Sequence, residues 1–164
     1  PLGMSFATTA LVGQWFGRQD LQGLRRAGLI SIVTTIGVTT VVAIALLLFR
    51  QPIIGLYIDI SDPENTALIK LVSPLIVVVA VGHIFDGVQK TTLGALYGIQ
   101  DTRVPVLLNI LSYLGVGLIS GYALGFGVGL GAQGLWIGYY LGATMAAIAY
   151  SWRFVSKLRQ FDSC

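Results

Sequence analysis

Long apolar runs leave this chain very few folds. Leu29 to Phe49 reads "LISIVTTIGVTTVVAIALLLF", without one charge. A run of about 18 or more apolar residues crosses a bilayer as a helix, because hydrocarbon offers backbone N–H and C=O groups no other partner. Such runs recur, and the spacing predicts spans near 27–49, 68–97, 104–126 and 132–154, with a partial helix over 1–16. The expected class is all-α, a polytopic transmembrane helix bundle of about four full spans plus one partial. Of 164 residues, 55% are hydrophobic and only 10% charged, against about 25% charged in a soluble domain. No segment remains from which a soluble domain could be built.

Small inventories exclude other classes. The net charge of +3 is dispersed, which speaks against nucleic acid as a partner. The single cysteine, Cys164, is the last residue, so it forms no disulfide within the chain and no metal-binding cysteine cluster. "GLGAQG", Gly129 to Gly134, has dinucleotide-like glycines, but that fingerprint needs a strand before it and a soluble βαβ unit around it. It reads instead as a tight turn between two spans. With no Walker, zinc-ligand or nucleophile-elbow pattern present, the expectation is a membrane protein that is not an enzyme and needs no cofactor. The opening "PLGMSFATTALVGQWFGRQD" reads as the inside of a helix running to its end, so the chain is expected to begin within a longer one. Trp15, Phe16, Phe49, Tyr57, Tyr97, Trp136 and Trp152 fall at run ends, as interfacial aromatic residues do.

Charge sorts the connections. Arg18, Arg25 and Arg26 follow the first helix, Asp59, Asp62 and Glu64 the second, Lys90 and Arg103 flank the third connection, and Arg153, Lys157 and Arg159 close the chain. Lysine and arginine excess marks cytoplasmic loops. The first and third connections and the C-terminus are therefore expected in the cytoplasm, and the acidic and glycine-rich loops outside. Arg50 and Lys70 weaken this pattern without reversing it. Glycines recur at every fourth residue, as Gly117, Gly121 and Gly125 and again as Gly134, Gly138 and Gly142. Such a stripe leaves a groove where another backbone can approach, which predicts a tightly packed final hairpin; Gly94 and Gly98 form a shorter instance. Pro74 removes a backbone donor early in the third span and is expected to bend it.

"VGHIFDGVQK" places His83, Asp86 and Lys90 three and four residues apart, on one helical stripe with Gln89 beside it. With the span opening near Leu71, Asp86 lies about 22 Å into a hydrocarbon core of about 30 Å. Ionisable groups at that depth face a bundle interior or a wet cavity and mark ion or substrate routes. Burial favours the neutral form of a carboxyl group and a neighbouring cation the ionised form, a balance suited to reversible protonation or cation binding. Two plainer readings stand beside this one: a structural Asp86–Lys90 pair, and a packing histidine at position 83. Asn109 and Tyr113 on the next span are weaker candidates for cavity polar groups.

The continuation "FDGVQKTTLGALYGIQDTRVPVLLN" resembles the segment after the tenth helix of the multidrug and toxic compound extrusion (MATE) family. "PLGMSFATTALVGQWFGRQD" resembles the end of the family's eighth helix, and "GLGAQGLWIGYYLG" the entry to its twelfth. The resemblance implies most of a C-terminal lobe, lacking the N-terminal lobe and the seventh helix. It also implies a bacterial plasma-membrane antiporter in which inward protons or sodium drive export of organic cations and other drugs. Asp86 matches the family's acidic position in the tenth helix, associated with cation coupling. The sequence departs from sodium-using members at Gly82, where they place an aromatic hydroxyl, and Lys90 is poorly suited to a cation site. Two other readings belong beside the antiporter: a lipid-linked saccharide flippase of the same superfamily, and a transport-incompetent membrane fragment that serves as an interaction partner or is a remnant of a split gene.

Overall fold

The computed structural model describes residues 1–59 and 62–162; Cys164 lies outside them. Among the described residues six helices follow in order: α1 Leu2–Gly17, α2 Leu21–Leu48, α3 Arg50–Gly55, α4 Thr66–Gly98, α5 Arg103–Gly127 and α6 Ala132–Asp162. No strand occurs among the described residues. Helix α2 begins at Leu21, well before the apolar run, because the Asp20 carboxylate accepts the Gly23 N–H at 2.9 Å and caps the first turn. Helix α4 continues through Pro74. In α5 the ladder widens to i→i+5 bonding over Leu111–Leu118 and Ala123–Gly127, where glycine lowers the cost of unusual backbone geometry.

Two turns share one design. Helices α1 and α4 both end in Gly-x-Gln-Asp, Gly17 to Asp20 and Gly98 to Asp101. The glutamines are left-handed, with φ of 56° at Gln19 and 63° at Gln100. The following aspartate N–H reaches back to Trp15 O at 3.3 Å and to Leu96 O at 3.0 Å, the six-to-one bond that closes a helix in a Schellman turn. The designs then diverge: Asp20 caps α2, whereas Asp101 accepts the Arg153 Nε–H at 2.8 Å.

Contacts between helices set their directions. The Thr9 hydroxyl of α1 donates to Gly94 O of α4 at 3.0 Å and Gly13 faces Gly98, so α1 and α4 run parallel. Thr35 meets Thr91 and Thr39 meets Gly87, so α2 is antiparallel to α4. Tyr139 reaches Asp86 and Arg153 reaches Asp101, so α6 is parallel to α4. On α5 and α6 the glycines oppose in antiparallel order: Gly125 with Gly134, Gly121 with Gly138, Gly117 with Gly142. A methyl group added to Gly138 would overlap the Gly121 backbone, and one on Gly142 would come within 3.1 Å of Gly117 Cα. Up-and-down alternation therefore gathers Arg18, Arg25, Arg26, Arg103, Arg153, Lys157 and Arg159 at one end of the bundle. Asp59, Asp62, Glu64, Arg50, Lys70 and the turn through Gly129 and Gly131 occupy the other.

The core is small and sits toward the basic end, where Val12, Leu24, Leu96, Ile99, Tyr150 and Phe154 pack together. Large apolar side chains such as Leu29, Val33, Val41 and Ile119 stand exposed instead. A bundle in lipid has this pattern, since hydrocarbon gives apolar residues no reason to turn inward. Helices α2, α4 and α5 are long and apolar enough to cross a membrane. The fourth full span expected over 132–154 differs in character. Helix α6 has 31 residues, ample for a crossing at about 1.5 Å per residue, but its apolarity is diluted by Trp136, Tyr139, Tyr140 and the glycines turned toward α4 and α5. Helix α1, with 16 residues, is shorter than a crossing requires.

Candidate functional site

The site forms on α4, which packs against α1, α2 and α6. Its small residues permit close approach on three sides. Gly94 and Gly98 admit the α1 backbone near Ser5 and Thr9, Gly87 admits the Thr39 methyl, and Gly82 lies beneath the Tyr140 ring. Asp86 stands between these contacts and is 8% exposed. Its Oδ1 accepts a hydrogen bond from Lys90 Nζ, one turn along the same helix, and another from the Tyr139 hydroxyl of α6 at 3.3 Å.

Aromatic rings enclose the carboxylate on the α5 and α6 side. Tyr139 lies 5.4 Å from Tyr113, 5.2 Å from Tyr140 and 5.9 Å from Trp136, centroid to centroid. Offset and edge-on rings at such distances attract one another, and their faces also suit a cation. Tyr139 is exposed while Asp86 is buried, so the cluster opens on the bundle surface. Beside it, an apolar groove of about 460 Å³ runs between α4 and α6, lined by Val78, Phe85, Ile137 and Leu141 among others. A buried carboxylate, tyrosine faces and an apolar groove together offer charge, stacking and hydrophobic contact to a bound molecule.

The structure brings some of the sequence candidates together and separates others. Asp86, Lys90 and Tyr113 belong to one cluster. Gln89 is buried but lies beside Tyr150, with no partner for its Oε1 among the described residues. His83 is half-buried, and Asn109 is exposed on α5 away from these contacts. Sequence reasoning passed over Tyr139 and Tyr140, whose signal was a pair of adjacent tyrosines inside the glycine repeat "GLWIGYYLG". It also passed over a hydroxyl seam on α2. Ser31, Thr35 and Thr39 recur every fourth residue and are buried, Thr35 and Thr39 against α4, with Thr35 Oγ1 2.8 Å from Thr91 Oγ1.

Comparison with known proteins places this arrangement in context. The MatE family model matches residues 1–123. A probable multidrug resistance protein NorM from Synechocystis sp. is 45% identical over 154 residues, covering 94% of this chain and 33% of that protein. A multidrug resistance protein NorM from Burkholderia vietnamiensis is 38% identical over 157 residues, covering 96% of this chain and 34% of the other. Among solved structures, an inward-facing multidrug resistance MATE family transporter superposes with a TM-score of 0.82 at 22% identity, covering 99% of this chain and 36% of that one. The eukaryotic MATE transporter AtDTX14 also gives 0.82, at 19% identity, covering 96% and 35%. The chain thus spans about a third of the length of the curated relatives it matches.

Proposed function

We infer the function from one premise: this chain belongs to the MatE family. Members of that family are transporters, not enzymes, and the chain is part of an integral membrane protein. Our reading is that it forms the eighth to twelfth transmembrane helices, in the C-terminal lobe of a secondary active multidrug exporter, with the short α3 in a connection. An N-terminal lobe completes the central cavity, and transport proceeds by rocking of the two lobes about a site near the membrane midplane. Organic cations are the substrates, and inward protons or sodium ions supply the driving force. The protein resides in a bacterial plasma membrane, with the basic end of the bundle in the cytoplasm.

Asp86 is the observation that carries this reading. A nearly buried carboxylate within an apolar 33-residue helix is costly even when paired with Lys90, and groups at such depth mark ion or substrate routes. The aromatic cluster and groove beside it provide surfaces for an organic cation. A flippase for pyrophosphate-linked lipids calls for unpaired cations, whereas Lys90, at this site, is committed to Asp86. The test is ethidium efflux from cells expressing the complete polypeptide that carries this segment. Asp86→Asn should reduce efflux at least tenfold while membrane expression is retained. Unchanged efflux would remove Asp86 from the mechanism.

A further inference from the structure

We propose that Lys90 is a tethered cation that keeps sodium out of the Asp86 site and leaves the proton as coupling ion. The proposal rests on the assignment of Asp86 above. Its first support is the direction of the hydrogen bonds. Both neighbours of Asp86 Oδ1, Lys90 Nζ and the Tyr139 hydroxyl, donate to it. A hard cation such as sodium needs oxygen lone pairs turned toward it from several sides, in place of its hydration shell. Here an ammonium group already stands against the carboxylate, and the tyrosine hydroxyl presents a hydrogen.

With the ammonium in place the surroundings close no shell around a metal ion; without it, the carboxylate, the Tyr139 hydroxyl and Gln89 Oε1 are oxygens a cation could use. On α4, Lys90 and His83 are the other titratable groups near Asp86; Tyr139 and Tyr140 face it from α6, and Tyr113 from α5. On the α2 side, the Thr35 and Thr39 side chains lie against Gly87, and α1 meets α4 beyond the site, at Gly94 and Gly98. No cluster of three His, Cys, Asp or Glu side chains exists among the described residues. One turn before Asp86, Gly82 offers no side-chain oxygen, and the Tyr140 ring fills the space a larger residue would use. Gln89 Oε1, an acceptor without a partner among the described residues, sits within one turn of Asp86 on α4, its side chain beside Tyr150.

A proton has none of these requirements. It adds to a carboxylate lone pair, gives a neutral acid and needs no coordination shell. The Lys90 side chain is 23% exposed and lies on the basic-end side of Asp86, so its ammonium can withdraw along its flexible stem when the carboxylate is neutralised. Lysine and a positively charged substrate then compete for the same ionised carboxylate. Lys90 holds it in the empty state and prevents an uncompensated buried charge.

The experiment reconstitutes the complete polypeptide in liposomes and drives ethidium transport with an imposed pH gradient or an imposed sodium gradient. Wild type and Lys90→Arg should respond to the pH gradient and ignore sodium. Lys90→Met should gain sodium-driven transport of several fold and bind radioactive sodium, and the double variant with Asp86→Asn should lose both. Sodium-driven transport by wild type overturns the proposal, as does a folded Lys90→Met protein that still ignores sodium. Should Lys90→Met misfold, Lys90→Gln takes its place under the same criteria. Unchanged ethidium transport by Asp86→Asn under both gradients would instead refute the underlying role of Asp86.

Discussion

At the residue scale, hydroxyls set inside apolar helices carry specific pairings. Thr35 is fully buried; its hydroxyl lies 2.8 Å from that of Thr91 and also donates to Ser31 O at 2.8 Å within its own helix. That local alternative limits what the interhelical bond is worth, in keeping with coupling energies in membrane proteins averaging about 0.6 kcal/mol. A double-mutant cycle on Thr35→Val and Thr91→Val, read from reversible unfolding in bicelles, should therefore return a coupling of about 0.5–1 kcal/mol. A coupling indistinguishable from zero would show that the two hydroxyls are neighbours without a bond. The four-residue spacing of Ser31, Thr35 and Thr39 was visible in the sequence, but hydroxyls within membrane helices commonly satisfy themselves on their own backbone. Their cross-helix role emerged only with α4 in place.

At the scale of elements, glycine position decides how closely helices pack. Gly138 presses on the Gly121 backbone, which cannot swing aside as a side chain can. Gly37, on α2, has nothing within 4 Å of where a Cβ would stand. Gly138→Ala should separate α5 from α6 and destabilise the bundle by about 1–3 kcal/mol. Gly37→Ala should be neutral or stabilising by up to about 1 kcal/mol, through helix propensity. Thermal melts followed by size-exclusion chromatography in detergent compare the two directly, and equal shifts would remove the packing argument. The repeats at 117–125 and 134–142 were legible because a stripe of small residues follows from helical period alone. The register in which the stripes meet, Gly121 against Gly138, was not.

At the scale of the whole molecule, alternating helix directions and sorted charge describe the same asymmetry. The C-terminal ends of α1, α4 and α6 share one face with Arg18, Arg25, Arg26, Arg103, Arg153 and Arg159, and the turn through Gly129 and Gly131 lies on the other. In a cysteine-free background of the complete polypeptide, with Cys164→Ser among the changes, Lys157→Cys and Gly129→Cys should react with a membrane-impermeant maleimide from opposite sides. The cysteine at 129 should label in intact cells and that at 157 only after permeabilisation. Labelling of both from one side would refute the topology.

The sequence by itself determined that this chain forms apolar helices of membrane-crossing length, that its connections alternate in charge, and that Asp86, Lys90 and His83 share one stripe. Each of these depends on residues within a few turns of one another, where helical period and the lack of backbone partners in lipid leave little choice. The tertiary structure decided which distant groups stand over Asp86: Tyr139 and Tyr140 arrive from α6, beyond an intervening helix. It also left Asn109 exposed and drew Gln89 toward Tyr150. In a soluble core, hydrophobicity tells a side chain which way to face; in lipid it does not, because apolar groups are equally at home outside. Helix pairing then follows close backbone contact, shape and a few hydrogen bonds between residues far apart in the chain.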